Sequence, residues 1–278
     1  MKLQRFPSAA AFLEVARPFL LRAEAENSLI LGIAGDLARA SGPGASAPYF
    51  ATVHDGEEIG VCAFSSVPSK VGLTSATNPA ALPLLAADVI QACPGMQVVL
   101  GPEPTARIFA GLVAKQLGTI PRPWMSQRIH ELRVVEPLPD LPAGRLRPAD
   151  MGDLGLVTPW VAEFLVHAGD QGDADEIARD RISRRLLHVW DDGGVASMAA
   201  WTGQTPNGVR ISLVYTPSHL RGRGYATACV AALSRQMLER NQFCCLYTDL
   251  ANPTSNAIYY RIGYRPVCDA AVYSIRDT

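Results

Sequence analysis

The stretch Leu213 to Ala226, LVYTPSHLRGRGYA, constrains the fold more than any other. It sits at the junction of two different periodicities. Upstream, Val209-Arg210-Ile211-Ser212-Leu213-Val214-Tyr215 alternates apolar and polar residues and is rich in β-branched and aromatic types, which predicts a strand. Thr216-Pro217 ends it, because proline has no N–H for the ladder. Downstream, Arg221-Gly222-Arg223-Gly224-Tyr225-Ala226 leads into an apolar run with helical spacing. A turn with two glycines between a strand and the first turn of a helix leaves several backbone N–H groups unpaired. The helix dipole favours negative charge there, and glycine lets the backbone come close, so such a turn suits phosphate.

The rest of the composition is compatible with a packed α/β protein. The 278 residues allow one large domain or two ordinary ones, and 48% hydrophobic against 18% charged residues can bury a core. A net charge of −1 gives no support to a nucleic-acid partner. The six cysteines (62, 93, 229, 244, 245 and 268) form no CxxC pair and no zinc-ligand pattern with histidine, so no metal is expected. The apolar run Phe12 to Leu21 is broken by Glu14, Arg17 and Pro18, which does not suit a signal peptide. No apolar stretch is long enough to span a bilayer. The expectation is a reduced, soluble, cytoplasmic protein without membrane contact.

In order, the chain predicts helices over 7–40, the first capped by Ser8, then a loop at Ser41–Pro48. A hairpin turns at Asp55-Gly56, and a third strand is expected within 69–77. A helix over 79–93, a short strand at 97–100, a helix over 103–116 and a strand over 124–135 follow. Pro137, Pro139 and Pro142, with Gly144, mark 136–143 as a linker. The second half, 144–278, repeats the order: a short strand, two helical stretches to Leu187, a hairpin to Trp201, the strand 209–216, a helix over 224–241, a strand over 243–250, a short helix over 254–262 and closing strands over 264–275. This is a repeat of architecture rather than of sequence. In the first half, the counterpart of the glycine turn, near Thr74 to Ala80, has no glycines, and Pro79 removes a donor.

Two signatures in the second half resemble those of the GNAT N-acetyltransferases. Arg221-Gly222-Arg223-Gly224-Tyr225-Ala226 fits that family's Arg/Gln-x-x-Gly-x-Gly/Ala turn. Asn252-Pro-Thr-Ser-Asn-Ala-Ile-Tyr259, followed by Tyr260-Arg-Ile-Gly-Tyr264, is similar to its second signature, with one helix and one strand between the two. The resemblance covers 144–278 and extends to 1–135 only by element order. It implies an α/β (α+β) chain of two tandem GNAT-like domains, each a mixed, mostly antiparallel twisted sheet flanked by helices. The first would be degenerate at the cofactor turn and would shape the acceptor pocket. The second would bind acetyl-CoA between two splayed parallel strands, those ending at Tyr215 and Leu250. The resemblance implies that the backbone of Leu213, Val214 and Tyr215 pairs with the pantetheine arm. The N–H groups of Arg221, Gly222, Arg223, Gly224, Tyr225 and Ala226, with Thr227, would hold the pyrophosphate. Asn252 would lie near the thioester. Tyr259 would protonate the departing thiolate, as a phenol with pKa near 10 can. The implied reaction is direct acetyl transfer to a primary amine of a small molecule or peptide.

Plainer readings stand beside these. The glycines could serve only a tight turn, and Arg221 and Arg223 could be solvated. Tyr260 adjoins Tyr259, although spacing to Gly263-Tyr264 favours Tyr259. Asn252 could merely cap the short helix. The general base is open among Glu163, His167, Asp249 and a water chain. A non-catalytic acyl-CoA sensor is the rival function. A P-loop is set aside because no Gly-Lys-Ser/Thr follows the turn. A homodimer is an open option. The second half alone is expected to bind one acetyl-CoA.

Overall fold

The structure is a computed structural model that describes residues 1–40, 48–170 and 172–276. The loop expected at Ser41–Pro48 therefore falls, over 41–47, outside the described residues. The first half runs β1 (Lys2–Arg5), α1 (Ala9–Leu21), α2 (Ser28–Arg39), β2 (Tyr49–Asp55), β3 (Glu58–Val67), β4 (Lys70–Leu73), a 3-10 turn (Pro79–Ala81), α3 (Leu82–Ala92), β5 (Val98–Pro102), α4 (Glu103–Leu117) and β6 (Arg122–Leu132). The second runs β7 (Arg145–Pro148), α5 (Leu154–Ala168), α6 (Ala174–Ser183), β8 (Leu187–Asp191), β9 (Val195–Thr202), β10 (Gly208–Tyr215), a 3-10 turn (Ser218–Leu220), α7 (Tyr225–Leu238), β11 (Phe243–Asp249), α8 (Pro253–Ile262) and β12 (Arg265–Ser274). Local chemistry sets many of the ends. Ser8 Oγ accepts the Ala11 N–H to start α1. Gly118 and Gly169, both at positive φ, close α4 and α5.

The two sheets expected, one per half, run together into a single twelve-stranded sheet in the order β1-β2-β3-β4-β5-β12-β6-β11-β10-β9-β8-β7. Among the described residues only β4 with β5 and β10 with β11 pair in parallel, so the sheet is mixed and mostly antiparallel. At its centre the halves exchange their last strands. β6 of the first half lies against β11, with His130 opposite Leu246, and β12 of the second half lies against β5, with Val272 opposite Leu100. β6 and β12 then pair with each other along most of their length. The break in pattern at 136–143 divides the chain but not the sheet.

Helices cover both faces, because strands buried on both sides must find apolar cover. On one face α1 and α2 pack Phe12, Leu20 and Ile30 onto Phe50 and Phe64. On the other, α3 and α4 bury Leu85, Val89 and Phe109 against Val61, Val71 and Val99. The second half repeats this, with α5 and α6 over Leu187, Met198 and Leu213, and α7 and α8 over Val209, Ile211 and Leu246. The linker is folded onto the second half. The Glu136 N–H donates to the Ile262 carbonyl (2.9 Å), the Arg261 guanidinium to the Pro139 carbonyl (3.3 Å) and Trp190 Nε1 to the Ala143 carbonyl (3.0 Å). All six cysteines are unbridged, and no helix among the described residues is long and apolar enough to cross a membrane.

Candidate functional site

β10 and β11 pair only at their beginnings, Gly208–Arg210 against Phe243–Cys245. Beyond Arg210 they separate. The cause lies in β10 itself. Its register with β9 slips between Ser212 and Tyr215, and Leu213 stands at φ 49, a rare conformation for a branched side chain. The bulge turns the strand, so the backbone of Leu213, Val214 and Tyr215 no longer has β11 beside it. In the first half the equivalent pair stays shut. β4 matches β5 from Lys70 to Gly72, and a Cβ built on Gly101 would lie 2.8 Å from the Leu73 carbonyl oxygen.

The chain leaves β10 through the 3-10 turn and enters α7 at Gly224. Arg221 Nε donates to the Thr216 carbonyl (2.9 Å), and its guanidinium sits 5.7 Å from the Tyr215 ring centroid, which fixes the start of the turn. Gly222 has φ 77 and Gly224 φ 82, so both occupy the region that disfavours a Cβ. From Gly222 to Thr227 the backbone N–H groups make no hydrogen bond among the described residues. They lie at the positive end of a 14-residue helix. Arg223 is exposed beside them, Thr227 is buried, and Tyr225 anchors the helix start by donating to Asp192 Oδ2 (2.8 Å). The corresponding turn of the first half, before α3, offers fewer donors. Asn78 Oδ1 already accepts the Ala80 N–H, and Pro79 and Pro83 have none to give.

α8 places the two adjacent tyrosines on different sides. Tyr259 is 8% exposed, next to Cys229 of α7 and edge-to-face with Tyr264. Burial pushes its phenol well above the ordinary value of 10.0, and no hydrogen bond to its hydroxyl exists among the described residues. Tyr260 is 41% exposed and packs its edge on the His130 ring of β6. Asn252 is exposed and spends its side-chain oxygen on the Ser255 N–H, so it does cap α8; its amide nitrogen has no partner among the described residues. The residue that ties β11 to α8 is Asn256, which the motif did not single out. Its Nδ2 donates to the carbonyls of Asp249 (3.0 Å) and Asn252 (2.8 Å), while its Oδ1 is buried without a partner. Its position four residues after Asn252 on a helix was the available signal.

Of the candidate bases, the structure brings one to the end of β10. Glu163 on α5 accepts a very short hydrogen bond from the Tyr215 hydroxyl, beside Trp160. Burial first, then the Glu163 carboxylate, raises the Tyr215 pKa. Asp249 is turned to the Ala251 N–H (2.8 Å) in a local turn. His167 Nδ1 lies 2.6 Å from the Glu163 carbonyl oxygen on the exposed side of α5.

Residues 190–273 match the family model described as FR47-like protein. No curated protein matches the chain. Among solved structures, a Drosophila protein is 15% identical with a TM-score of 0.67 over 98% of each chain. A GCN5-related N-acetyltransferase from Sphaerobacter thermophilus is 15% identical with a TM-score of 0.64, covering 99% of this chain and 96% of its own. A tandem GNAT protein from the clavulanic acid biosynthesis pathway is 13% identical with a TM-score of 0.54 over the whole of both chains.

Proposed function

We propose that this chain, which has the tandem GNAT fold with an FR47-like segment in its second half, is an acyltransferase that moves the acetyl group of acetyl-CoA onto a primary amine. The single observation that carries the reading is the opening between β10 and β11 together with the unpaired N–H groups of Gly222 to Thr227. The residues fit the cosubstrate: a strand edge without a partner suits an amide-bearing arm, and a helix N-terminus with two glycines suits a diphosphate. When bound, acetyl-CoA supplies an acyl group activated as a thioester.

The chain's own groups then have separate tasks. The backbone of Leu213 to Tyr215 orients the arm, and the Gly222–Thr227 donors fix its far end. Alignment of an uncharged amine with the thioester carbon supplies most of the rate. Forming the C–N bond and breaking the C–S bond frees one proton from the amine and leaves a thiolate. Glu163, directly or through the Tyr215 hydroxyl, takes the first. Tyr259 returns one to the sulfur. Its raised pKa keeps it protonated at neutral pH, and the same dry surroundings penalise the thiolate it neutralises. The acceptor is a small molecule or peptide, reaching the centre from the α5 side, where Glu163 and Trp160 lie.

Isothermal titration with acetyl-CoA tests the reading, followed by an amine screen that monitors released thiol. One site per chain and turnover with some amine are expected. Absence of acetyl-CoA binding overturns the proposal, and tight binding with no amine ever acetylated would favour the sensor instead.

A further inference from the structure

A cavity of about 470 Å³ lies far from the glycine turn, between the first-half helices and the second-half sheet. It opens at the beginning of β10, where Thr202 stands opposite Arg210, some five residues before Tyr215. At strand rise that is about 16 Å from the transfer centre. Its floor is apolar and buried, formed by Leu13, Leu31 and Leu186. Its rim is cationic. Arg17 of α1 has no ion-pair partner among the described residues. Arg39 of α2 is held by Asp36 (2.8 Å), and Arg184, after α6, is 3.5 Å from Asp180. Only Asp36 among the lining residues is negative, so the cavity carries a net positive charge.

The loop after β9 adds to this. Gly203 stands at φ 59, and the N–H groups of Gly203 and Gln204 make no hydrogen bond among the described residues. Beneath Gly203 lies the Arg210 guanidinium, whose Nη1 is buried without a partner. The wall is tight where the halves meet: a Cβ built on Gly32 of α2 would lie 2.6 Å from Gly203 Cα. An apolar floor, several guanidinium groups and free backbone donors in a space of this size match an anion on an apolar body.

We propose that this cavity is a second binding site, separate from the transfer centre, for a small organic anion such as an aromatic carboxylate or sulfonate. Its ligand bridges α1 and α2 of the first half and the sheet of the second. The site does not depend on the acyltransferase reading.

The test is a fluorescence titration of the full chain with the anionic dye 8-anilinonaphthalene-1-sulfonate, with and without saturating CoA. The expected result is one saturable site that CoA does not displace. Replacing both Arg17 and Arg184 with Gln should weaken the dye by about tenfold or more, and Lys at both should restore much of it. Both arginines are exposed, so thermal melting should be unchanged in these variants. Acetyl-CoA affinity, read by calorimetry, should also be unchanged. No saturable dye site, displacement of the dye by CoA, or equal dye affinity in the folded Gln variant overturns the proposal.

Discussion

Tyr259 and Tyr260 are neighbours in sequence and opposites in environment. The first is enclosed by α7 and the core, and the second lies on the outer side of α8. Removing the Tyr259 hydroxyl as Phe keeps the ring contact with Tyr264, so it should lower kcat by about 10²–10⁴-fold while leaving the Kd for acetyl-CoA nearly unchanged. Tyr260→Phe should be close to silent. The reverse pattern in steady-state kinetics and calorimetry would shift the proton donor by one residue. The spacing to Gly263-Tyr264 made the difference in burial between the two legible, because a helix fixes which of two adjacent residues faces inward. His130 was not legible as anything. It is fully buried in β6 with both ring nitrogens unpartnered, and burial lowers its pKa below 6.5. Tyr260, Arg128 and Asp269 face it. A group whose folded pKa lies below its unfolded value binds fewer protons folded than unfolded, so stability rises with pH across that interval. Melting temperature should therefore fall as pH drops below about 6.5 toward the folded pKa. His188, also buried with a lowered pKa, adds to the effect. His130→Phe should reduce the slope of melting temperature against pH, and an unchanged slope would assign the effect elsewhere.

At the scale of elements, the turn before α7 was readable because its chemistry is local: two glycines between a strand and a helix. Both stand at positive φ. A β-branched residue at Gly224 costs about 1–2 kcal/mol in backbone strain alone, and its Cβ would also press on Pro142 Cδ at 3.3 Å. Gly224→Val should therefore abolish tight acetyl-CoA binding. Gly111, on the exposed side of α4 with open space around it, is the matching control, where Ala should add about 0.5–1 kcal/mol of stability. Calorimetry on the two variants separates a damaged turn from a general intolerance of glycine loss. The opening beside the turn was not readable from residues alone. Alternation predicts a straight strand through Leu213, and a bulge is a property of pairing with β9 rather than of the strand's own pattern. The same limit explains Asn252 and Asn256. The motif marks an amide near the β11–α8 corner, but which of the two bridges it depends on how the helix leaves the strand.

For the whole molecule, the order of elements was legible except for β1, whose four residues are too few to show alternation; the exchange of β6 and β12 was not legible, because pairing partners far apart in sequence leave no local periodicity. The exchange changes what a fragment can do. In the second half alone, β11 would lose its neighbour, and β12 would stand one empty strand position away, about 10 Å across the sheet. The missing strand also carries Ile129, His130 and Leu132, all at 1% exposure or less, and Leu132 packs into the core of the second half. Residues 144–278, expected from sequence to bind acetyl-CoA by themselves, less stably and with most acceptor turnover lost, should instead give no cooperative melt and no acetyl-CoA binding. A fragment of residues 119–278 restores β6 beside β11 and keeps the linker that follows it, leaving uncovered the β12 edge and the patch of Phe243 and Cys245 that Ala25 shields in the whole chain. It should melt cooperatively, at lower temperature than the whole chain, and bind acetyl-CoA. That edge is a ready template for pairing, so the fragment should also associate with itself as concentration rises. Circular dichroism melting, calorimetry and sedimentation on the two fragments decide the matter. If 144–278 melts cooperatively and binds with the affinity of the whole chain, β12 can close onto β11 unaided, and the exchange would not be what holds the cofactor cleft together.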